Sequence, residues 1–258
     1  MTPDQYLRQI LTREAVDTSP YSPLYQVQTT LQPALSAWAG QWLVGVSPSG
    51  SFSKGTANKS GTDIDLFISL SSNTPETLKD IYNKLDTRMK ELGYATRRQN
   101  VSINISDNGY SVDLVPAKRQ NMFLEDHSLY RRKADTWTKT NVITHANHVS
   151  TSGRRDEIRI LKLWRNQKGL TFPSFHLELV TIKALAAVGI FGAPYNEVAA
   201  NVWRMFQYLR DNITTDKTVD PANGNNIISD DLTAAERTAI RNAAISALGA
   251  ANWGQIVV

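Results

Sequence analysis

The sequence lacks cysteine altogether, so disulfide bonds, thiolate zinc sites and cysteine nucleophiles are excluded. It has no long apolar run, and its first residues, MTPDQYLRQILTREAV, lack the basic flank and apolar core of a secretory signal. The formal net charge is only +4 at pH 7, whereas a dedicated duplex-binding protein usually carries a denser basic surface. These absences favour a cytoplasmic protein with no membrane association and no strong nucleic-acid signal. Nothing in the sequence indicates an oligomeric state.

Apolar residues make up 41% of the chain and charged residues 20%, which is ordinary for a globular protein. Up to about residue 140 the patterns alternate between helix and strand, and beyond it they indicate helices. We therefore predict an α/β (α+β) fold with two lobes: residues 1–140, with a mixed sheet and N-terminal helices, and residues 141–258, which are helical. The predicted strands span residues 42–46, 63–70, 101–106 and 111–115, and the predicted helices span residues 2–13, 25–39, 75–92, 142–149, 156–167, 175–188, 196–211 and 233–248.

Two aspartates, Asp63 and Asp65, begin the alternating segment DIDLFISL. In a strand, residues i and i+2 face the same side, so these two carboxylates project together. Two carboxylates at such a short distance repel each other unless a cation lies between them, and Mg²⁺ prefers hard oxygen ligands. The alternative interpretation is the solvated face of an edge strand.

A hairpin places a third aspartate, Asp113. Asn108-Gly109 is a strong signal for a two-residue turn, and with this pair at the centre Asn104 faces Asp113 across the strands. Taken alone, Asp113 fits an exposed hairpin carboxylate. Taken together, three carboxylates on neighbouring strands predict a site for two Mg²⁺ ions, with Mn²⁺ as the alternative cation. We predict all three as metal ligands and catalytic residues, with Asp113 acting on the acceptor hydroxyl.

Gly50 and Ser51 precede the aspartates in a loop rich in glycine, serine and lysine. Gly50 lets the backbone approach a phosphate closely, and the Ser51 hydroxyl and the following N–H groups can donate to phosphate oxygens. The Walker spacing is absent, so the segment is not a P-loop. The alternative is an ordinary Gly-Ser turn.

A cationic helix face lies in the second half of the chain. Arg155, Arg159, Lys162 and Asn166 share one face by their i, i+3 and i+4 spacing. Beside a metal site this face fits a triphosphate, and the alternative is a solvated basic stripe. Ser174 fits a helix N-cap, a position where a hydroxyl can also meet an anion.

Several motifs together resemble the polymerase β-like nucleotidyltransferase superfamily, and specifically its 2′-5′ oligoadenylate synthase branch. That branch includes cyclic GMP-AMP synthase and the bacterial CD-NTases of antiphage defence. The signature segments are GSFSKGT at 50–56, GTDIDL at 61–66 and VDLVPA at 112–117. The likeness continues in IRILKLW at 158–164, PSFHLEL at 173–179 and DPANGNN at 220–226, so that it spans about residues 45–248.

The resemblance implies a template-independent enzyme that joins nucleoside triphosphates, such as ATP, into a cyclic or linear oligonucleotide messenger with release of pyrophosphate. It implies that Gly50, Ser51, Lys162 and Ser174 bind the nucleotide, with Lys162 on the donor triphosphate. It also implies an active site between a catalytic lobe and a helical lobe, and a role in antiphage signalling. An enzyme that modifies an RNA 3′ end or a protein, and an inactive NTP-binding module, are the alternatives. Base preference, linkage and ring size depend on the shape of the substrate pocket.

Overall fold

The computed structural model describes residues 1–19, 21–61, 63–186 and 197–258. The helices are α1 Pro3–Arg13, α2 Pro23–Ala39, α3 Gly50–Lys54, α4 Leu78–Glu91, α5 Val142–Ser150, α6 Arg155–Gln167, α7 Ser174–Ala184, α8 Val198–Asn212 and α9 Ala234–Leu248. The strands are β1 Leu43–Pro48, β2 Ile64–Leu70, β3 Arg97–Arg98, β4 Ile103–Asp107, β5 Tyr110–Arg119, β6 His127–Arg131, β7 Thr136–Thr140, β8 Val219–Asp220 and β9 Asn223–Ile227. The predicted mixture of helices and strands is confirmed.

The chain divides into two compact units. The sheet unit comprises Asp17–Gly55 and Thr62–Asn147, and the helical unit comprises Met1–Val16, Thr56–Gly61 and His148–Val258. Helix α1 therefore groups with the helical unit, whereas the sequence analysis placed it in the first lobe. The reason is its apolar face, because Leu7, Ile10 and Leu11 are buried in the helical core.

The sheet unit is built on a seven-stranded sheet with the order β1-β2-β5-β4-β3, to which β6 and β7 are joined through β5. The pair β2 and β5 is parallel, and the other pairs are antiparallel. On β2, Ile64, Leu66 and Ile68 pack into a core with residues of α2 and α4. Because side chains alternate along a strand, Asp65 faces the opposite side of the sheet.

The helical unit has its own apolar core, centred on the buried Trp164 of α6 and Phe206 of α8. Their rings lie 5.0 Å apart between centroids. Helix α9 begins with the predicted capping box, in which the Thr233 side chain accepts from the Glu236 N–H and the Glu236 side chain accepts from the Thr233 N–H. A cap of this kind satisfies backbone donors that the first helical turn leaves unpaired.

Some predicted boundaries were wrong. Helix α4 begins at Leu78 and not at Pro75, because the Thr77 side chain caps it by accepting from the Asp80 N–H. Strands β6 and β7 form a hairpin within and beyond the segment 121–137, which the sequence analysis left without structure. The predicted helix end at residues 188–189 and the predicted helix start at residue 196 lie outside the described residues, and the structure ends α7 at Ala184.

No helix among the described residues combines the length and the apolar character needed to cross a membrane.

Candidate active site

Two of the three predicted aspartates stand side by side on the sheet. Asp65 of β2 is directly in register with Asp113 of β5. The two strands are parallel neighbours, so register partners project from the same face of the sheet. That face is opposite the apolar core, and both side chains are half-buried. The structure therefore brings Asp65 and Asp113 together as the sequence predicted.

Gly50 lies against the carboxylate of Asp65. A Cβ atom built on Gly50 would overlap the Asp65 carboxyl group and lie 2.9 Å from its Cβ. Gly50 also has a φ of +57°, in the left-handed region that favours glycine. The neighbouring Ser49 N–H donates to the Asp65 carbonyl at 2.8 Å. Any larger residue at position 50 would displace Asp65, so the position of the Asp65 carboxylate requires glycine here.

The predicted phosphate loop adopts a short helix. Gly50 and Ser51 are the first two residues of α3, and Ser51 is half-buried. The helix ends at Gly55, which has a φ of +68°. Binding of a phosphate by Gly50 and Ser51 stays a prediction, and their position beside Asp65 is compatible with it.

Two amide side chains orient Asp113. Asn104 donates from Nδ2 to Asp113 Oδ1 at 2.7 Å, and Gln99 donates from Nε2 to the same oxygen at 2.9 Å. The contact with Asn104 follows from the predicted hairpin register and is confirmed. Gln99 was missed, because it lies in the loop before β4, where no periodic pattern shows the direction of a side chain.

Burial raises the pKa of the Asp113 carboxyl above its usual range. The hydrogen bond from Asn104 opposes this rise, and the negative charge of Asp63 adds to it. Burial and the charge of Asp63 both raise the pKa because they destabilise the ionised form. Burial removes water from the carboxylate, and a like charge repels it. Asp113 is therefore a carboxylate that a nearby cation would stabilise.

Asp63 directly precedes β2 and is exposed. In the ranges that the structure describes, no group of three or more histidine, cysteine, aspartate or glutamate side chains is arranged to hold a metal ion. The carboxylate oxygens of Asp65, Asp113 and Asp63 nevertheless match the ligand chemistry of Mg²⁺. Their convergence on metal ions stays a prediction.

Lys162 is buried in the helical unit, where it belongs to a polar network. Its Nζ donates to Glu178 Oε1 at 2.6 Å and to Thr56 Oγ1 at 2.9 Å. The Thr56 hydroxyl in turn donates to Glu178 Oε1 at 2.9 Å. The side chains of Lys162 and Glu178 are only 7% and 1% exposed. The interpretation of Lys162 as part of a solvated stripe is therefore wrong, and its contact with a triphosphate stays a prediction.

The same helix face holds the segment Thr56–Gly61. Arg159 donates from Nε to Asn58 Oδ1 at 3.1 Å, and Asn58 donates back from Nδ2 to the Arg159 carbonyl at 2.9 Å. The Ser60 N–H donates to Glu14 Oε2 at 2.9 Å. The cationic face thus has a structural use, which is to bind the segment that links Gly50-Ser51 to Asp63-Asp65 along the chain.

Ser174 is the first residue of α7, and Pro173 occupies the N-cap position without a side-chain cap bond. The N-cap interpretation of Ser174 is therefore wrong by one residue. Its hydroxyl accepts a hydrogen bond from Arg165 Nη1 at 2.8 Å. A contact between Ser174 and a nucleotide stays a prediction.

The asparagine-rich segment near the C-terminus forms the two-stranded sheet of β8 and β9. Within it, Asn226 Nδ2 donates to Asp220 Oδ2 at 3.2 Å.

A family model described as a nucleotidyltransferase domain matches residues 37–138. Residues 37–138 are thus similar to nucleotidyltransferase domains. The match includes all three predicted aspartates as well as Gly50 and Ser51. The predicted site on the sheet therefore lies within the matched residues, and Lys162 and Ser174 lie outside them.

The chain is also similar to a characterised protein. A curated protein, cyclic AMP-AMP-AMP synthase of Escherichia coli (strain MS 115-1), is 23% identical over 203 residues, which cover 71% of this chain and 62% of that protein. The chain thus matches less than two thirds of the relative's length.

Solved structures share the fold over nearly the whole chain. CdnC of E. coli MS115-1 with ATP superposes with a TM-score of 0.77 at 20% identity, covering 96% of this chain and 91% of that one. The CD-NTase CdnG of Bradyrhizobium diazoefficiens in complex with GTP also gives a TM-score of 0.77, at 11% identity, covering 94% of this chain and 89% of that one. At these identities the likeness establishes a CD-NTase fold.

Proposed function

We propose that this protein is a template-independent nucleotidyltransferase that joins nucleoside triphosphates into a cyclic or linear oligonucleotide. The observation that carries the proposal is the register of Asp65 with Asp113 on parallel strands, with Gly50 packed against Asp65. This arrangement gives two carboxylates on one face beside a loop that can approach phosphates. The E. coli relative is a cyclic AMP-AMP-AMP synthase, which supports a small nucleotide acceptor and ATP as a substrate.

Asp63, Asp65 and Asp113 would hold two Mg²⁺ ions. Such ions, when bound, supply positive charge that offsets the charge developing on the attacking and leaving oxygens. Asp113 would act on the acceptor hydroxyl and could take its proton. The hydroxyl oxygen then forms a bond to the α-phosphorus, the bond from that phosphorus to the bridging oxygen breaks, and pyrophosphate leaves.

The amides of Asn104 and Gln99 fix the orientation of Asp113 during this step. Both donate to Oδ1. Gly50 and Ser51 would bind the phosphates of the donor nucleotide on the Asp65 side, through backbone N–H groups and the serine hydroxyl. We also propose, from the resemblance of the signature segments to those of the CD-NTases, that the product acts as a second messenger in antiphage signalling.

The proposal is tested by incubating the protein with the four labelled NTPs and Mg²⁺, and by identifying phosphatase-resistant products by mass spectrometry. We expect oligonucleotide products and pyrophosphate release. Asp65→Asn and Asp113→Asn should each lower the rate by at least about a hundredfold, the scale on which loss of one charge-stabilising group acts.

Asp107→Asn is the matched control. Asp107 is a buried aspartate of the same hairpin, and it accepts a hydrogen bond from Tyr94 at 3.0 Å on the core side of β4. This variant should keep its activity. Label that remains on added tRNA or protein instead of small oligonucleotides would favour the macromolecule-modifying alternative, and NTP binding with no turnover would favour an inactive module.

A further inference from the structure

A row of polar side chains crosses four strands of the sheet. Asp65 of β2 is in register with Asp113 of β5, which is in register with Asn104 of β4, which is in register with Arg97 of β3. Register partners on adjacent strands project from the same face. The row therefore places one cation on the face that carries the two carboxylates.

Arg97 and its neighbour Arg98 face opposite ways. Arg98 is directed to α4, where it contacts Asn83 Oδ1, lies 3.8 Å from Asp86 Oδ2 and sits over the Tyr82 ring. Arg97 is exposed, and within the described ranges no carboxylate lies at ion-pair distance from its guanidinium.

The order of the strands separates the two ends of the row. Gly50 contacts Asp65 at one end, and Arg97 lies on β3 at the far edge of the sheet. The donor phosphates are proposed to lie at the Gly50 end, so Arg97 is on the acceptor side of Asp113. Two strand spacings of about 4.8 Å separate Asp113 from Arg97. An extended arginine can cover much of that distance.

We propose that Arg97 binds the 5′-phosphate of the acceptor nucleotide. This inference rests on the proposed function, in which each acceptor is itself a nucleotide whose ribose hydroxyl meets Asp113. In a nucleotide one ribose separates that hydroxyl from the 5′-phosphate, which matches the separation of Asp113 and Arg97 along the row. A guanidinium is well suited to a phosphate, because its planar donors form paired charge-assisted hydrogen bonds. Arg97 would then select nucleotides over nucleosides and other hydroxyl compounds.

The test separates donor from acceptor by giving each a single role. The donor is 2′,3′-dideoxy-ATP, which has no hydroxyl with which to accept. The acceptor is either AMP or adenosine, neither of which can donate. The wild-type protein should prefer AMP to adenosine. Arg97→Gln should lower kcat/KM for AMP about tenfold, as expected for loss of one charge-assisted pair. It should leave kcat/KM for adenosine and the KM for the donor unchanged. Equilibrium binding of AMP should weaken by a similar factor.

Arg98→Gln is the control, since it removes the same charge from the same strand on the other face. It should leave the preference for AMP unchanged. An equal loss for AMP and adenosine in Arg97→Gln, unchanged AMP binding, or a higher KM for dideoxy-ATP alone, would overturn the assignment. Absence of transfer by the wild-type protein to any acceptor would instead contradict the proposed function.

Discussion

Asp113 is held in surroundings that oppose its negative charge. It is half-buried, it lies in register with Asp65, and its pKa is raised by burial and by Asp63. A folded-state pKa above the unfolded value means that the folded protein binds the proton more tightly. Stability is then lost as the pH rises from the unfolded pKa through the folded one. A carboxylate kept ionised here costs stability in the absence of a cation, and that cost is typical of a functional site.

Asp113→Asn should therefore stabilise the metal-free protein while abolishing transfer. Asparagine keeps an oxygen for the donors Asn104 and Gln99 and removes the charge. In EDTA at about pH 7 we expect the melting temperature to rise by about 2 °C, which for a chain of this size corresponds to roughly 0.5–1 kcal/mol. The difference should shrink in acid, where the wild-type carboxyl is protonated. Added Mg²⁺ should raise the melting temperature of the wild type more than that of the variant, and a variant that melts below the wild type in EDTA would contradict this account.

Among the elements, the β4–β5 hairpin determines where Asp113 points. Asn108 and Gly109 have φ angles of +49° and +81°, as the two central residues of a type I′ turn require. This turn fixes the register in which Asn104 faces Asp113. A slip of one residue would turn every side chain of β5 to the other face of the sheet. The geometry of the site therefore depends on two residues at the hairpin tip.

Gly109→Val should destabilise the protein by about 1–2 kcal/mol, because a β-branched side chain is strained at positive φ. Asn108→Gly is the control at the adjacent position, since glycine adopts positive φ without strain. Urea denaturation monitored by circular dichroism measures both. If Gly109→Val and Asn108→Gly have equal urea midpoints, the turn does not determine the register of the hairpin as described.

The sequence predicted those parts of the site that rest on local periodicity. Alternation placed Asp65 on the polar face, and the turn signal placed Asn104 against Asp113, both as the structure has them. Gln99 and Arg97 were not predicted, because one lies in a loop and the other on a strand of two residues, too short to show a pattern. Burial of Lys162 was also not predicted, since it depends on a segment about a hundred residues earlier in the chain. Long-range contacts of this kind leave no local signal.

At the scale of the whole molecule, a buried ion pair holds Thr56 within the helical unit. Thr56, Lys162 and Glu178 share hydrogen bonds of 2.6–2.9 Å. Thr56 lies seven residues before Asp63 along the chain. Removal of one partner from a buried pair leaves an uncompensated charge, whereas removal of both partners is much better tolerated.

Glu178→Leu alone should cost about 3–5 kcal/mol of unfolding free energy. The triple variant Lys162→Met, Glu178→Leu and Thr56→Val should recover more than half of that loss, because no charge or hydroxyl of the network stays buried without a partner. Guanidinium denaturation measures both. Equal destabilisation of the single and triple variants would show that Glu178 does not stabilise the protein through its ion pair with Lys162. The folded triple variant also tests the predicted role of Lys162, since weaker ATP binding at unchanged fold would indicate a direct triphosphate contact.

The path of the chain has a consequence for dissecting the protein. It passes between the two units four times, at about residues 16, 55, 61 and 147. A fragment that begins at His148 would lack the buried Leu7, Ile10 and Leu11 and the segment that Arg159 and Lys162 hold. Neither half can therefore be produced by cutting the gene at one place, and a self-sufficient helical half would require α1 and the segment 56–61 to be spliced onto it by new linkers.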